Sequence, residues 1–415
     1  MRIVIIALGS RGDVQPCIVL ARGLQDAGHT VLLASHANFA PLVSDYNIHF
    51  FPLSGDTHAA LTGEAGQAFT NSGRNLLRFM REFMRASGLL LEQLQDEVLQ
   101  AVQGADLMIS TTLAYFCEYI SQKTGIPNII AHLQPNVRTR AFPCPAVAGL
   151  SLGKTYNYLT YILAEQLFWQ LSRPVANRLR QRLQLPPYPL TGPYKQFYKR
   201  HPTIFCAFSP FVVPRPADWG AEVHETGYWS LDPPAQWQPS PALTTFLEAG
   251  PPPVYVGFGS MSGRNASEVT NIVVQALTLT KQRGIILTGW GGLSSSDLPD
   301  SIIKLEDAPH NWLFPRMAAL VHHGGAGTTA SGLRAGVPGI LIPFFGDQFF
   351  WGQRIQALGV GPRPIPYKQL TAQKLASALR QAIEDSQMRA SAARMGTQIR
   401  SEDGVARAVS VIEQL

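Results

Sequence analysis

Between Val321 and Asp347 the chain reads VHHGGAGTTASGLRAGVPGILIPFFGD, and Gln348 follows. Two histidines, His322 and His323, come first. Gly324, Gly325, Ala326 and Gly327 follow, then Thr328 and Thr329. This is a pattern for holding an anion. Glycine lets the backbone approach a ligand closely, and the first N–H groups of a helix have no intrahelical partner. Those donors and the helix dipole favour a phosphate, to which a threonine hydroxyl and an imidazole add hydrogen bonds. Any nucleotide would satisfy that much. Asp347 and Gln348 narrow the choice, because a carboxylate and a carboxamide at a strand end suit the hydroxyls of a sugar.

Positioning these groups takes a strand, a turn, a helix and a second strand. Met317 to Val321 and Gly339 to Pro343 read as the strands, with a helical pattern running through Leu333 between them. The N-terminus repeats the plan: strand Ile3 to Leu8, turn Gly9 to Gly12, helix Cys17 to Ala27, strand Thr30 to Ala34. That turn lacks G-x-G-x-x-G, and no acid ends the second strand, so it is not an NAD fingerprint. Asp13 stands there instead, placed to cap a helix starting near Gln15 or Pro16.

Further strands are expected at Leu107 to Ser110, Asn128 to His132 and Thr203 to Val213. A Pro-rich stretch, Asp232 to Pro253, has linker composition with a short helix at Pro241 to Glu248. Strand Val254 to Gly257, helix Ala266 to Arg283 and strand Ile285 to Thr288 then restart the βαβ programme, and the last helix spans Thr397 to Gln414. Running the programme twice implies an α/β chain of two facing Rossmann-like domains with a cleft between them. Their bounds are 1–229 and 253–395, with a linker at 230–252. At 415 residues the chain exceeds a single-core limit, which agrees.

Several classes are excluded. With 46% hydrophobic and 15% charged residues the chain is neither disordered nor, lacking any apolar run of about 18 residues, transmembrane. The apolar start MRIVIIALGSRGD has no cleavage site and reads as a buried strand. Cys17, Cys117, Cys144 and Cys206 are too scattered for a CxxC site, which suggests reduced thiols and a cytoplasmic protein. The net charge of +6 fits phosphate-bearing ligands or an anionic surface, and no nucleic-acid motif accompanies it. Arg74, Arg78, Arg81 and Arg85 line one face of a predicted helix, so a surface helix and a peripheral membrane contact both stay open. AGLSLGKT, Ala148 to Thr155, mimics a Walker A loop, but its lead-in RAFPCPAV is no strand.

The segment around His323 resembles the donor signature of family 1 nucleotide-sugar glycosyltransferases of the GT-B fold. It is most similar to the sterol 3-beta-glucosyltransferases, through HHGGAGTT, LRAGVP and PFFGDQFF. In plant members a histidine precedes the acidic–Gln sugar pair by twenty-four positions, the spacing of His323 and Asp347. The resemblance covers most of the chain. It implies that His323, Thr328, the backbone of Gly325, Ala326 and Gly327, and Ser260 bind the donor diphosphate, with Ser10 and Arg11 joining the donor site. Asp347 and Gln348 would hold the sugar, and Ala308, Pro309, His310 and Trp312 the base. Asp13, in GDVQP, would be the general base that takes the acceptor's proton. Phe142, Tyr158, Tyr161 and Phe168 would line an apolar acceptor groove, and the final segment 396–415 would pack back on the first domain.

The implied reaction is inverting transfer of glucose from UDP-glucose, a co-substrate, to a sterol-like hydroxyl, with no metal and no cofactor. No D-x-D motif, the metal-binding mark of the other major glycosyltransferase fold, occurs. One departure is Ser331, eight positions after His323, where plant members carry a glutamate for the ribose; Gly327 likewise replaces an asparagine. UDP against dTDP is therefore open, and a natural-product glycosyltransferase acting on a macrolide, flavonoid or glycopeptide is the first rival. A nucleotide-sugar epimerase and a non-catalytic nucleotide-binding module are the others.

Overall fold

A computed structural model describes residues 1–56, 90–147, 152–259, 266–288 and 298–415. Ser260 and the arginine-bearing helix expected at 74–85 lie outside the described residues. The chain forms two compact units. Of the described residues, one takes those up to Leu231 and again Glu402–Leu415, and the other holds Asp232–Ser401.

The first unit has a seven-stranded parallel sheet: β1 (Arg2–Ile6), β2 (Thr30–His36), β3 (His49–Leu53), β4 (Leu107–Thr111), β5 (Asn128–His132), β6 (Ile204–Cys206) and β7 (Val223–Glu225). The order is β3-β2-β1-β4-β5-β6-β7. Ile3, Val4, Ile5 and Ile6 are wholly buried. An unbroken apolar strand of this kind needs cover on both faces, as a parallel sheet supplies through its crossover helices. Those used below are α1 (Arg11–Asp26), α2 (Leu90–Ala101), α3 (Cys117–Thr124), α4 (Lys154–Arg182) and α5 (Tyr194–Lys199).

The second unit has a five-stranded parallel sheet: β8 (Val254–Gly257), β9 (Gly284–Leu287), β10 (Ile302–Leu305), β11 (Ala319–His322) and β12 (Gly339–Leu341), in the order β10-β9-β8-β11-β12. Its helices include α6 (Pro241–Glu248), α7 (Ala266–Leu279), α8 (Ala326–Ala335), α9 (Gln348–Ala357), α10 (Ala372–Glu384) and α11 (Ser386–Arg400). The Pro-rich stretch contributes to this unit. Ser240 caps α6 by accepting from Leu243 N at 3.3 Å, with Pro241 at the first helical position.

Both sheets reverse strand order once, between β1 and β4 in one and between β8 and β11 in the other. Loops leaving the carboxyl ends of those strands turn opposite ways and open a crevice, the usual place for a ligand in an open α/β sheet.

Three elements differ from the sequence expectation. Helix α1 begins at Arg11, six residues before Cys17, because Ser10 and Asp13 form a capping box. Asp13 is therefore the third helical residue, not the cap before Gln15, and Pro16 lies inside the helix. Of Thr203 to Val213 only Ile204–Cys206 is strand, since Val212 N and Val213 N turn back onto Ser209 O. The last helix is two. It breaks at Ser401 to Asp403, and Asp403 Oδ1 accepts from Ala406 N at 2.9 Å to start α12 (Gly404–Ile412). Residues 396–400 thus belong to α11 in the second unit, and Glu402–Leu415 to the first. There α12 lies tight on α1, as a Cβ at Gly23 would come within 2.1 Å of Val405 Cγ1. Among the described residues, no helix is long and apolar enough to cross a membrane.

Candidate functional site

The anion pattern of the second unit is built at its switch point. His322 ends β11 opposite Gly257 of β8, so His323 and Gly259 leave adjacent strands side by side. The His323 ring fits between two glycines. A Cβ at Gly259 would lie 3.3 Å from its Cε1, and one at Gly325 2.5 Å from its Nε2. Burial lowers the His323 pKa to about 4, which leaves the imidazole neutral at physiological pH. Its Nδ1 is buried without a hydrogen-bond partner, as is the hydroxyl of Thr329. Buried polar atoms are normally satisfied, so an orphan in the turn and another in the first turn of the helix it opens mark a place where a polar ligand belongs.

Gly325 caps α8 with extended backbone and no side chain, so the N–H groups of Ala326, Gly327 and Thr328 open the helix. Together with one N–H of the His323 ring they form a donor-rich cradle that fits a phosphate. His322 turns inward at 1% exposure and accepts from Gly324 N at 3.1 Å, fixing the turn. Gly324 has φ +91°, and a Cβ there would lie 3.2 Å from the Gln348 backbone oxygen. That contact joins the anion loop to the Asp347–Gln348 pair.

Asp347 precedes α9, and its Oδ2 accepts from Trp351 Nε1 at 3.0 Å. The Gln348 side chain is 4% exposed. Its Oε1 accepts from Phe344 N at 2.8 Å and Phe345 N at 3.3 Å, so the carboxamide oxygen holds the loop. At the end of β10, Ala308 is buried and Pro309 caps the short helix His310–Leu313. His310 stacks on Phe314 at 4.3 Å with its Nε2 3.4 Å from the Tyr255 hydroxyl, so its ring serves packing. Trp312 is engaged by Trp237 at 5.0 Å and by the Arg316 guanidinium at 4.1 Å.

In the first unit, Ser10, Arg11 and Asp13 follow β1, beside the end of β4. The Asp13 carboxylate accepts from Ser10 N at 2.8 Å and Ser10 Oγ at 3.0 Å. Gly9, at φ +132°, makes room for it, since a Cβ there would lie 2.4 Å from Asp13 Oδ2. Desolvation raises the Asp13 pKa, partly offset by the two Ser10 bonds, which makes it a stronger base than a free aspartate. Sequence reasoning missed two neighbours. Thr111 Oγ1 accepts from Leu8 N at 3.1 Å, tying β4 to the Asp13 turn, and Thr112 Oγ1 meets His132 Nδ1 at 2.9 Å. Burial lowers the His132 pKa to about 4. The available signal was a histidine ending the apolar strand NIIAH.

Of the expected acceptor residues, Phe142 and Phe168 pack half-buried against a cluster of Cys144, Tyr161 and Ala164. Phe168 also meets Tyr115 edge-on at 5.4 Å. Tyr161 is 2% exposed and gives its hydroxyl to Pro135 O at 3.3 Å, so it is core and not groove lining. Tyr158 is half-exposed beneath Arg140.

Known proteins align with this arrangement. Residues 3–143 match the glycosyltransferase family 28 N-terminal domain, and residues 285–415 the erythromycin biosynthesis protein CIII-like C-terminal domain. The fold is that of GT-B glycosyltransferases. The glycotransferase of kitacinnamycin has a TM-score of 0.72 at 19% identity, covering 100% of this chain and 98% of that one. CalG4, the calicheamicin glycosyltransferase, has a TM-score of 0.70 at 16% identity, covering 100% and 98%.

Among sequence relatives, sterol 3-beta-glucosyltransferase UGT80B1 of Arabidopsis thaliana is 37% identical over 100% of this chain and 68% of its own length. The sterol 3-beta-glucosyltransferase of Emericella nidulans is 38% identical over 99% of this chain but 30% of its own. The present chain thus spans about two thirds of the plant enzyme and under a third of the fungal one. Identity at this level, along the whole chain and through both switch points, means that it belongs to the glycosyltransferase family of the sterol 3-beta-glucosyltransferases.

Proposed function

We propose that the chain is an inverting UDP-glucose:sterol glucosyltransferase, acting on a sterol or similar lipophilic polycyclic alcohol. The observation that carries this reading is the donor-rich cradle at His323 and the start of α8, in a chain whose relatives are named sterol 3-beta-glucosyltransferases. In this mechanism the diphosphate lies on the N–H groups of Ala326, Gly327 and Thr328, with Thr328 Oγ and neutral His323 as further donors. Asp347 and Gln348 hold the glucose hydroxyls. Asp13 takes the proton from the acceptor oxygen as that oxygen attacks the anomeric carbon, and the bond to the diphosphate breaks on the opposite face. An α-linked donor thereby becomes a β-glucoside. Charge developing on the leaving diphosphate falls on preorganised donors, each worth a few kcal/mol in enzymes generally, and no metal or cofactor takes part.

A cytoplasmic setting belongs to the same reading. It is supported by four buried free thiols, as in a reducing compartment. A second reading rests on Ser331, one turn into α8: without a carboxylate there, a dTDP-sugar is the competing donor. The deciding assay is UDP release from UDP-glucose by the purified protein, with and without cholesterol. Sterol-dependent release, with the glucoside seen by mass spectrometry, establishes the reading. Release with no sterol dependence, or from dTDP-glucose alone, removes it.

A further inference from the structure

Helix α4 is two-faced in an unusual way. One side buries Tyr161 and Ala164 with Cys144, half-covering Phe168 and Leu171. The other presents Leu159 and Leu163, 53% and 63% exposed, at the i, i+4 spacing that puts them on one stripe. Gln166, Gln170 and Arg173 continue that stripe. The turn at Leu190, 68% exposed, is pinned alongside, since its carbonyl accepts from Trp169 Nε1 and Gln170 Nε2, both at 2.9 Å. Helix α5 flanks the same region through Tyr198, whose hydroxyl donates to Glu165 of α4 at 3.0 Å. Lys195 and Lys199, one turn apart on α5, are exposed.

The charge of this segment is one-sided. From Gln134 to Arg200 there are ten basic residues and one acid, a net +9 in a chain of +6, so the remainder carries −3. The one acid, Glu165, is tied to Arg138. Among the described residues, Lys154, Arg173, Lys195 and Lys199 have no acidic partner. Protruding leucines amid unpaired cations match the composition of surfaces that lie on anionic bilayers, where apolar side chains enter the headgroup boundary and basic ones meet the anionic headgroups.

We propose that this face of α4, with the Leu190 turn and α5, docks on an anionic lipid bilayer. A second copy of the chain fits less well, because a self-complementary contact would set two strongly positive faces together. The proposal stands apart from the acceptor reading, since docking needs neither donor nor acceptor.

The test is cosedimentation of the full chain with phosphatidylcholine vesicles, with and without phosphatidylserine, in buffer free of UDP-sugar and sterol. Phosphatidylserine should raise the bound fraction roughly tenfold or more, and added salt should reverse it. Leu159→Ser with Leu163→Ser, and separately Lys195→Glu with Lys199→Glu, should each return binding to the phosphatidylcholine level. Unchanged melting temperatures would show that the variants are folded. Equal sedimentation of wild type and both variants overturns the proposal. So does a wild-type dimer in gel filtration that the leucine variant makes monomeric while vesicles bind neither protein, which would make the face an interface between copies.

Discussion

The indole N–H of Trp351 donates to the Asp347 carboxylate from one turn further along α9, at 3.0 Å. Trp351 is 1% exposed, so the carboxylate is held by a side chain that is itself immobile. If Asp347 holds the donor sugar, Trp351→Phe should raise KM for UDP-glucose several-fold and leave UDP affinity unchanged. Equal weakening of both would mean that the bond supports the loop and not the sugar.

His323 is predicted to act on the diphosphate as a neutral imidazole. His323→Ala should weaken UDP by about tenfold, the scale of one hydrogen bond to a charged group. Gly325→Ala should do much the same without touching His323, because its Cβ would sit 2.5 Å from Nε2 and push the ring aside. With a pKa of about 4, the ring gives no inflection in UDP affinity above about pH 6. Calorimetry on wild type and His323→Ala across that range checks this, since the terminal phosphate of UDP also ionises there. A tightening on acidification seen in wild type alone would reveal a protonating histidine.

Asp13 must be ionised to accept a proton, and burial raises its pKa. The acid limb of kcat/KM should therefore lie above the usual carboxylate value of about 4, with activity present above it and lost as pH falls through it. Ser10→Ala deletes one of the two bonds that favour the charged form, so the limb should move to still higher pH. Asp13→Asn should cut kcat a hundredfold or more, with UDP binding near normal. A Ser10→Ala profile that superimposes on wild type would rule out titration of Asp13 as the cause of the limb.

Arg138 and Glu165 form a half-buried pair, 19% and 14% exposed, with Tyr198 donating to the same carboxylate. Arg138→Met leaves the half-buried Glu165 with its cation gone but Tyr198 still donating, so unfolding free energy should fall by about 2–3 kcal/mol, between the surface and the fully buried cases. Urea denaturation measures it. A loss within about 1 kcal/mol would place the pair in the surface class instead.

What the sequence disclosed follows from where one force dominates. Parallel strands buried on both faces, such as Ile3 to Ile6 and Val254 to Gly257, announce themselves as apolar runs. The cap of α6 was legible because Ser-Pro is a strong local start signal. The start of α1 was a local signal misread, since Ser10 and Asp13 close a capping box three residues apart. Local signals failed where tertiary contacts decide: the break at Ser401 depends on Gly404 meeting the backbone of Tyr228, 2.6 Å from a would-be Cβ. At the candidate site, glycine spacing showed the cradle. It did not show that His323 lies between Gly259 and Gly325, because Gly259 comes from a loop far away in sequence. Nor did it show that Gln348 turns its oxygen back on Phe344 within one local turn. Tyr161 was misplaced because its partner Pro135 is remote in sequence.

The first unit closes only when α12 settles against α1, with Trp229 Nε1 donating to Gly404 O at 3.2 Å. During synthesis this means that the strands of the first unit must wait for Glu402–Leu415, which is made only after Asp232–Ser401. The second unit, continuous from Asp232 to Ser401 among the described residues, has those residues in hand before Glu402–Leu415 is made. Order of manufacture and order of completion are thereby reversed: the amino-terminal unit is begun first and finished last.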